Sequence, residues 1–187
     1  MKYNSLIIIP TYNEAENIEL IINKIISIDN SNDVLVVDDN SPDGTSEIVN
    51  NLNNIHDSRV FLIKRDKKSG LGSAYRTGFK WALDNKYSYI FQMDADMSHD
   101  PNEIKNLKIQ LTQNKYDFVI GSRYIEGVSV VNWPLSRIFL SYFANLYVRS
   151  ITCMPVKDAT SGFVGYTKKA LNSIELSEIK FNGYAFQ

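Results

Sequence analysis

Short uninterrupted apolar runs recur along the first two thirds of the chain, and each stops at polar residues. Leu6-Ile7-Ile8-Ile9 ends at Pro10, Val34-Leu35-Val36-Val37 at Asp38-Asp39, and Val60-Phe61-Leu62-Ile63 at Lys64-Arg65. Tyr89-Ile90-Phe91-Gln92-Met93 ends at Asp94, and Asp117-Phe118-Val119-Ile120 at Gly121-Ser122-Arg123-Tyr124. Runs of this kind are those of strands covered on both faces. Between them apolar residues return at helical spacing: Ile18, Ile21, Ile22, Ile25 and Ile26, then Ile48, Val49 and Leu52. Further helices are expected from about Ser73 to Leu83 and from Pro101 to about Gln113. The latter opens on Asp100, with Glu103 completing a capping-box-like start. Strand and helix in alternation predict an α/β fold, a mostly parallel, doubly wound sheet flanked by helices. Ligands bind such sheets outside the carboxyl ends of the strands, so the polar residues after each run converge on one rim.

The pattern changes after Tyr124. Residues 125–132 read as a loop, followed by a helix from about Trp133 to Ile151 that carries Phe139, Tyr142, Phe143 and Tyr147 with Arg137 and Arg149. Its aromatic residues lie nearly all round, which fits a buried helix or a surface that meets lipid. Asp158-Ala159-Thr160-Ser161-Gly162 leads into a strand-like Phe163-Val164-Gly165-Tyr166 and a short helix around Lys169 to Ile174. No repeat or linker divides the chain, so residues 1–187 read as one domain.

Composition narrows the classes. Hydrophobic residues make up 44% and charged residues 22%, ordinary values for a soluble globular protein. The net charge of −1 argues against a nucleic-acid partner. No run of roughly 18 apolar residues suggests a membrane span, and the N-terminus has no signal-peptide pattern. A lone Cys153 cannot form an internal disulfide, which fits a reducing cytoplasm; core packing is its expected role. With only His56 and His99 beside it, a Cys/His metal site is excluded, and both histidines are expected at the surface, His99 in a solvated loop.

Asp94 and Asp96 carry the clearest chemistry. If the strand geometry persists, carboxylates two residues apart point the same way and repel unless a cation lies beside them. Hard divalent ions such as Mg²⁺ or Mn²⁺ take one or two carboxylates plus substrate phosphates. Asp38-Asp39 either holds a ribose or base or starts an Asx-turn, the role expected for Asp38 itself. Arg123 either clamps an anion or lies on the surface. Gly70 and Gly72 belong to no phosphate-loop pattern, since Tyr75 stands at the third glycine of a dinucleotide fingerprint; they read as packing at a helix start. Glu14, Asp39, Asp94, Asp96 and Arg123 on a common rim are the main argument for a site.

These residues resemble those of family 2 glycosyltransferases with the GT-A-type fold, and more narrowly the dolichyl- or polyprenyl-phosphate mannosyltransferases. The matching stretches are Ile9 to Glu14, Val37 to Thr45, Gly70-Leu71-Gly72, Met93 to Asp96, Gly121 to Tyr124 and Asp158 to Phe163. The resemblance implies inverting transfer of mannose from GDP-mannose to a polyprenyl phosphate, with Mg²⁺ or Mn²⁺ as cofactor, at the cytoplasmic face of a membrane. It implies that Pro10, Tyr12, Glu14, Val37 and Asp39 hold the nucleoside. Asp94 and Ala95 would contact the donor, and Asp96, beside Asp94, would bind the metal. Arg123 would meet phosphate or sugar, while Arg137 and Ser141 would grip the acceptor phosphate. Ser98 departs from the pattern, standing where many relatives carry a glutamine beside the metal. Relatives also continue past the equivalent of Gln187, so the chain is expected to end short of the full catalytic domain. Alternative readings are another nucleotide sugar such as a glucose donor, a glycan hydroxyl as acceptor, or a non-catalytic nucleotide-sugar-binding module.

Overall fold

A computed structural model describes residues 4–113, 116–122, 143–148, 150–151, 153, 156, 158–159 and 161–176. Its strands are β1 (Ser5–Thr11), β2 (Asn32–Asp38), β3 (Val60–Lys64), β4 (Tyr89–Gln92), β5 (Phe118–Ile120) and β6 (Val164–Thr167). The helices are α1 (Ile18–Ile28), α2 (Thr45–Ile55), α3 (Leu71–Asp84), α4 (Glu103–Thr112) and α5 (Lys168–Asn172). Among the described residues the strands form one sheet in the order β3-β2-β1-β4-β6-β5. β1 pairs in parallel with β2 and β4, and β2 with β3, whereas β6 runs antiparallel to both β4 and β5. The expected α/β fold with a mostly parallel sheet is the one observed.

Alternation along each strand explains why the sequence shows continuous apolar runs. Ile7, Ile9, Val34, Val36, Phe91 and Met93 face a core closed by α1, α2 and α4. Leu6, Ile8, Leu35, Val37 and Ile90 face the opposite core, closed by α3 and α5. Both faces of the central strands are therefore buried, and a polar side chain is accommodated only where the strand ends. Gly165 marks a close approach within the second half of the sheet. It sits opposite Phe91, and a Cβ added there would lie 2.6 Å from Phe91 Cε1, so the bare backbone lets the phenyl ring lie across β6.

Several expectations are corrected. Asp100 does cap the turn before α4, its Oδ1 accepting from Asn102 N at 3.0 Å, but Glu103 bonds forward to Asn106 and closes no reciprocal box. His99 is buried, with its ring 5.3 Å from that of Phe163, and is not a solvated loop residue. His56 is half-buried and paired with Asn23 Oδ1 at 2.7 Å. Cys153 is exposed and contributes nothing to the core. Of the expected helix ending at Ile151, residues 143–148 are helical. They present Phe143, Leu146 and Tyr147 to solvent and bury Asn145, so this part is not a buried helix. The expected loop over 125–132, and Arg123, Arg137 and Ser141, lie outside the described residues.

Candidate active site

The site is built from the loops that leave the carboxyl ends of β1, β2, β3 and β4. The first two are stitched together by the side chains of the Asp38-to-Thr45 stretch. Asp38 is fully buried and accepts hydrogen bonds from Thr11 Oγ1 (2.7 Å), Ser41 N (2.9 Å) and Ser46 Oγ (2.8 Å), with Ser41 Oγ donating as well. Burial alone would raise its pKa, but the bonds from Ser41, Thr11 and Ser46 outweigh it and hold the carboxyl below its ordinary value. Asp38 thus fills the Asx-turn role expected of it.

Three further contacts cross between the loops. Asn13 N donates to Ser41 Oγ (3.0 Å), Glu14 N to Thr45 Oγ1 (3.1 Å) and Ala15 N to Asp43 Oδ2 (3.0 Å). Asn13, Asn40 and Gly44 take positive φ at 63°, 59° and 91°, the left-handed turns that Asn and Gly enter at least cost. Most of the polar residues in this stretch are therefore occupied in shaping the loop that carries Tyr12 and Glu14.

Asp39 points away from that clamp. Arg65, at the end of β3, bonds Asp39 Oδ1 through both Nε and Nη2, and Ser69 N donates to Oδ2 at 3.0 Å. The remaining Arg65 donors reach Ser73 Oγ at 2.8 Å and Gly70 O at 3.3 Å. Gly70 has φ +90° and directly precedes α3, so a side chain there would be strained. Arg65 was not singled out by the sequence, where it reads as one member of the charge run Lys64 to Lys68. Its signal is position: it directly follows β3, on the rim where ligands bind.

The residues expected around a nucleoside divide into two kinds. Tyr12 is 39% exposed, with Lys68 Nζ 3.8 Å from its ring centroid, a cation–π contact. Glu14 is half-buried, its Oε2 accepting from Asn17 Nδ2 at 3.2 Å at the start of α1. Val37 is wholly buried, and Pro10 pairs with it in the β1–β2 ladder. Val37 is therefore closed to solvent throughout, main chain as well as side chain.

Beyond β4 the extended geometry lapses at Gln92, so strand alternation no longer aligns the two aspartates. Asp94 is half-buried and its Oδ1 accepts from Tyr75 Oη at 3.2 Å. Ala95 is buried and belongs to the core closed by α1, α2 and α4. Asp96 is exposed and its Oδ1 caps a turn by accepting from Ser98 N at 3.0 Å. Burial, followed by the charge and the hydrogen bond of Asp94, holds the Tyr75 phenol protonated well above its ordinary pKa, with Tyr166 and Asp96 adding less. Ser98 Oγ lies 3.2 Å from His99 Nδ1.

Two carboxylates fit a hard divalent cation in chemistry. Among the described residues no group of three or more carboxylate, histidine or cysteine side chains is placed to hold a metal ion; such hard ions commonly take one or two carboxylates with substrate phosphates. Asp94 and Asp96 would hold such an ion.

The far side of the rim is closed by the Asp158-to-Phe163 stretch. Asn145 Nδ2 donates to the buried Asp158 Oδ1 at 2.9 Å, and Asn145 Oδ1 accepts from Ala159 N at 2.7 Å, which ties the 143–148 helix to this segment. Ser161 Oγ donates to Gly121 O at 2.6 Å, and Gly121 N to Phe163 O at 2.8 Å.

Solved structures share this fold. A mannosyltransferase from Pyrobaculum calidifontis in complex with GDP-Man and Mn²⁺ superposes with a TM-score of 0.62 at 20% identity, over 92% of this chain and 46% of that one. Glucosyl-3-phosphoglycerate synthase from Mycobacterium tuberculosis, with Mn²⁺ and UDP-glucose, superposes with a TM-score of 0.66 at 17% identity, over 92% and 58%. The chain thus spans about half the length of these structures. In sequence it is 42% identical to polyprenol monophosphomannose synthase of Mycolicibacterium smegmatis, over 98% of this chain and 69% of that protein. It is 40% identical to undecaprenyl-phosphate mannosyltransferase of Micrococcus luteus, over 97% and 74%. Dolichol-phosphate mannosyltransferase of Pyrococcus furiosus is 39% identical, over 94% of this chain and 49% of that protein. The sequence model of glycosyl transferase family 2 matches residues 6–175, nearly the whole described fold, and the chain belongs to that family.

Proposed function

We propose that this protein transfers mannose from GDP-mannose to a polyprenyl phosphate, with inversion at the anomeric carbon and with Mg²⁺ or Mn²⁺ bound. The carrying observation is the identity of about 40%, along nearly the whole chain, to relatives whose names all join mannosyl transfer to a polyprenyl-type phosphate. The rim agrees with it in chemistry: an aromatic face at Tyr12, a neutralised acid at Asp39 and a carboxylate pair at Asp94 and Asp96 lie at the ends of adjacent strands.

Pro10, Tyr12, Glu14, Val37 and Asp39 form the nucleoside site, with Tyr12, Glu14 and Asp39 on the rim and Pro10 paired with the buried Val37 beneath them. Asp94 and the main chain of Ala95 contact the donor, and Asp96 with Asp94 holds the cation. A divalent cation there supplies Lewis-acid stabilisation of the departing diphosphate. An acceptor phosphate oxygen forms the new bond to the sugar C1 as the C1–O bond to GDP breaks, and the electron pair leaves with GDP. A phosphate monoester, with a second pKa of about 6, is already anionic at neutral pH, so its oxygen needs no general base. This accounts for a rim on which the one described histidine, His99, is buried against Phe163. Arg123, Arg137 and Ser141 are assigned to sugar and acceptor phosphate. The apolar face formed by Phe143, Tyr147 and Ile151 suits contact with the membrane in which that acceptor resides, at its cytoplasmic side. No helix among the described residues is long and apolar enough to cross a membrane.

The test offers the protein GDP-mannose, UDP-glucose and UDP-N-acetylglucosamine in turn, with undecaprenyl phosphate and Mg²⁺ or Mn²⁺, and resolves lipid products by mobility. A mannolipid from GDP-mannose alone is expected; no mannolipid with either ion would overturn the reading. Arg137→Ala is expected to weaken acceptor use more than GDP binding.

A further inference from the structure

Lys67 and Lys68 stand in the loop between β3 and α3, and that loop is tied down on both sides of them. Asn40 Nδ2 donates to Asp66 O at 3.3 Å, and Ser69 N donates to Asp39 Oδ2 at 3.0 Å. Arg65 closes the base of the loop by holding Asp39 and Gly70 O together. The backbone that carries Lys68 is therefore fixed against the loop that follows β2, while its side chain is exposed. From there the side chain crosses to the loop that follows β1, where its Nζ lies 3.8 Å from the centroid of the Tyr12 ring. Lys68 thus links the ends of β3, β2 and β1, three neighbours in the sheet, and covers an aromatic face assigned to the nucleoside.

A cation at that height takes the space over the ring that a stacked base would occupy. At an exposed site such a contact is weak, so a base laid on Tyr12 can displace it. The tethered backbone keeps the displaced ammonium beside the base. An ammonium has three donors and no acceptor. A 6-oxopurine turns two acceptors, O6 and N7, to one edge, whereas adenine carries an amino group in place of O6. The sheet order favours a contact with the base over one with the diphosphate. Lys68 comes to Tyr12 from the side of β2, whereas Asp94 and Asp96 follow β4, on the other side of β1. We propose that Lys68 is a specificity-determining residue of the donor site, its ammonium passing from the Tyr12 ring to the acceptor edge of a 6-oxopurine. The proposal rests on the assignment of Tyr12 and Asp39 to the nucleoside.

The experiment measures binding of GDP, inosine diphosphate and ADP to the full chain by calorimetry with Mn²⁺, for the wild type and Lys68→Met. The exposed side chain can be replaced without disturbing the core, and equal thermal melting of the two proteins checks this. Lys68→Met is expected to weaken GDP and inosine diphosphate alike, about tenfold, as loss of a hydrogen bond from a charged donor predicts. ADP keeps only the screened attraction of that charge for its phosphates and should change by less than about twofold. Wild-type GDP affinity in Lys68→Met, an equal loss for ADP, or a loss confined to GDP and absent for inosine diphosphate would overturn the proposal and leave the assigned activity standing. Absence of Mn²⁺-dependent GDP binding in the wild type would overturn both.

Discussion

Arg65 grips Asp39 with two nitrogens on a single carboxylate oxygen, joining the end of β3 to the end of β2 across 26 residues of chain. The pair is nearly closed to solvent, with side-chain exposures of 11% and 7%. Because the same guanidinium also holds Ser73 and Gly70, one side chain sets the acid on the rim and the loop entering α3.

Removing that side chain strands a buried carboxylate. Arg65→Gln is expected to lower stability by about 3–5 kcal/mol, the cost of leaving a buried charge without its partner. Arg65→Lys keeps the charge but loses the fork, and should fall between the two. Urea denaturation of the three proteins checks the order.

Asp96 is exposed and its carboxylate shapes only a local turn. Asp96→Asn should therefore leave stability within about 0.5 kcal/mol of wild type. Metal-dependent donor use should fall at least about a hundredfold, beyond what changes outside the ligand shell produce. Thermal melting and initial rates with Mn²⁺ separate the two effects; unchanged turnover would refute the metal role.

Asp38 gives the fold an acid-sensitive joint. Its pKa is lowered in the folded state, so its stabilisation is fully present above the unfolded value of about 3.9 and is lost as pH falls through the lowered one. The urea midpoint should drop as pH falls toward 4 and below. Asp38→Asn, which disturbs a network of three hydroxyls, is expected to cost about 2–4 kcal/mol at neutral pH and to flatten that acid limb.

Phe143, Tyr147 and Ile151 follow one another at helical spacing and are 61%, 68% and 62% exposed. Replacing all three by serine is expected to reduce binding to vesicles of phosphatidylcholine and phosphatidylglycerol at least about tenfold, given about 1.5–3 kcal/mol per buried large apolar side chain. GDP binding should be unchanged. Vesicle flotation, with calorimetry beside it, reads both; equal flotation would count against the lipid contact.

The sequence made the parallel half of the fold plain because burial on both faces leaves no polar position inside a central strand, and the rim is then wherever polarity resumes. The antiparallel insertion of β6 between β4 and β5 was not legible: Phe163 to Tyr166 reads as a strand, but its neighbours are chosen by pairing across more than forty residues of chain. Asp38 was read correctly as a turn former, since its chemistry is local. Arg65 and Tyr75 were missed for opposite reasons. A charge run hides which cation is buried, and Tyr75 drew notice only as a missing glycine. Ala74, Tyr75, Gly78, Phe79 and Ala82 nevertheless form the buried stripe of α3, and a tyrosine at the rim end of such a stripe is a signal. His99 was misjudged because its burial depends on Phe163, which arrives from far along the chain.

The clasp between Gly121 and Ser161–Phe163 has an evolutionary consequence. The chain departs from the sheet and rejoins it at neighbouring points, pinned by two hydrogen bonds at 2.6 and 2.8 Å. Lengthening the intervening excursion changes closure entropy only slowly, by about 0.6 kcal/mol per doubling. Both ends of that stretch are pinned, so its length can change while the register of β4, β6 and β5 stays as it is.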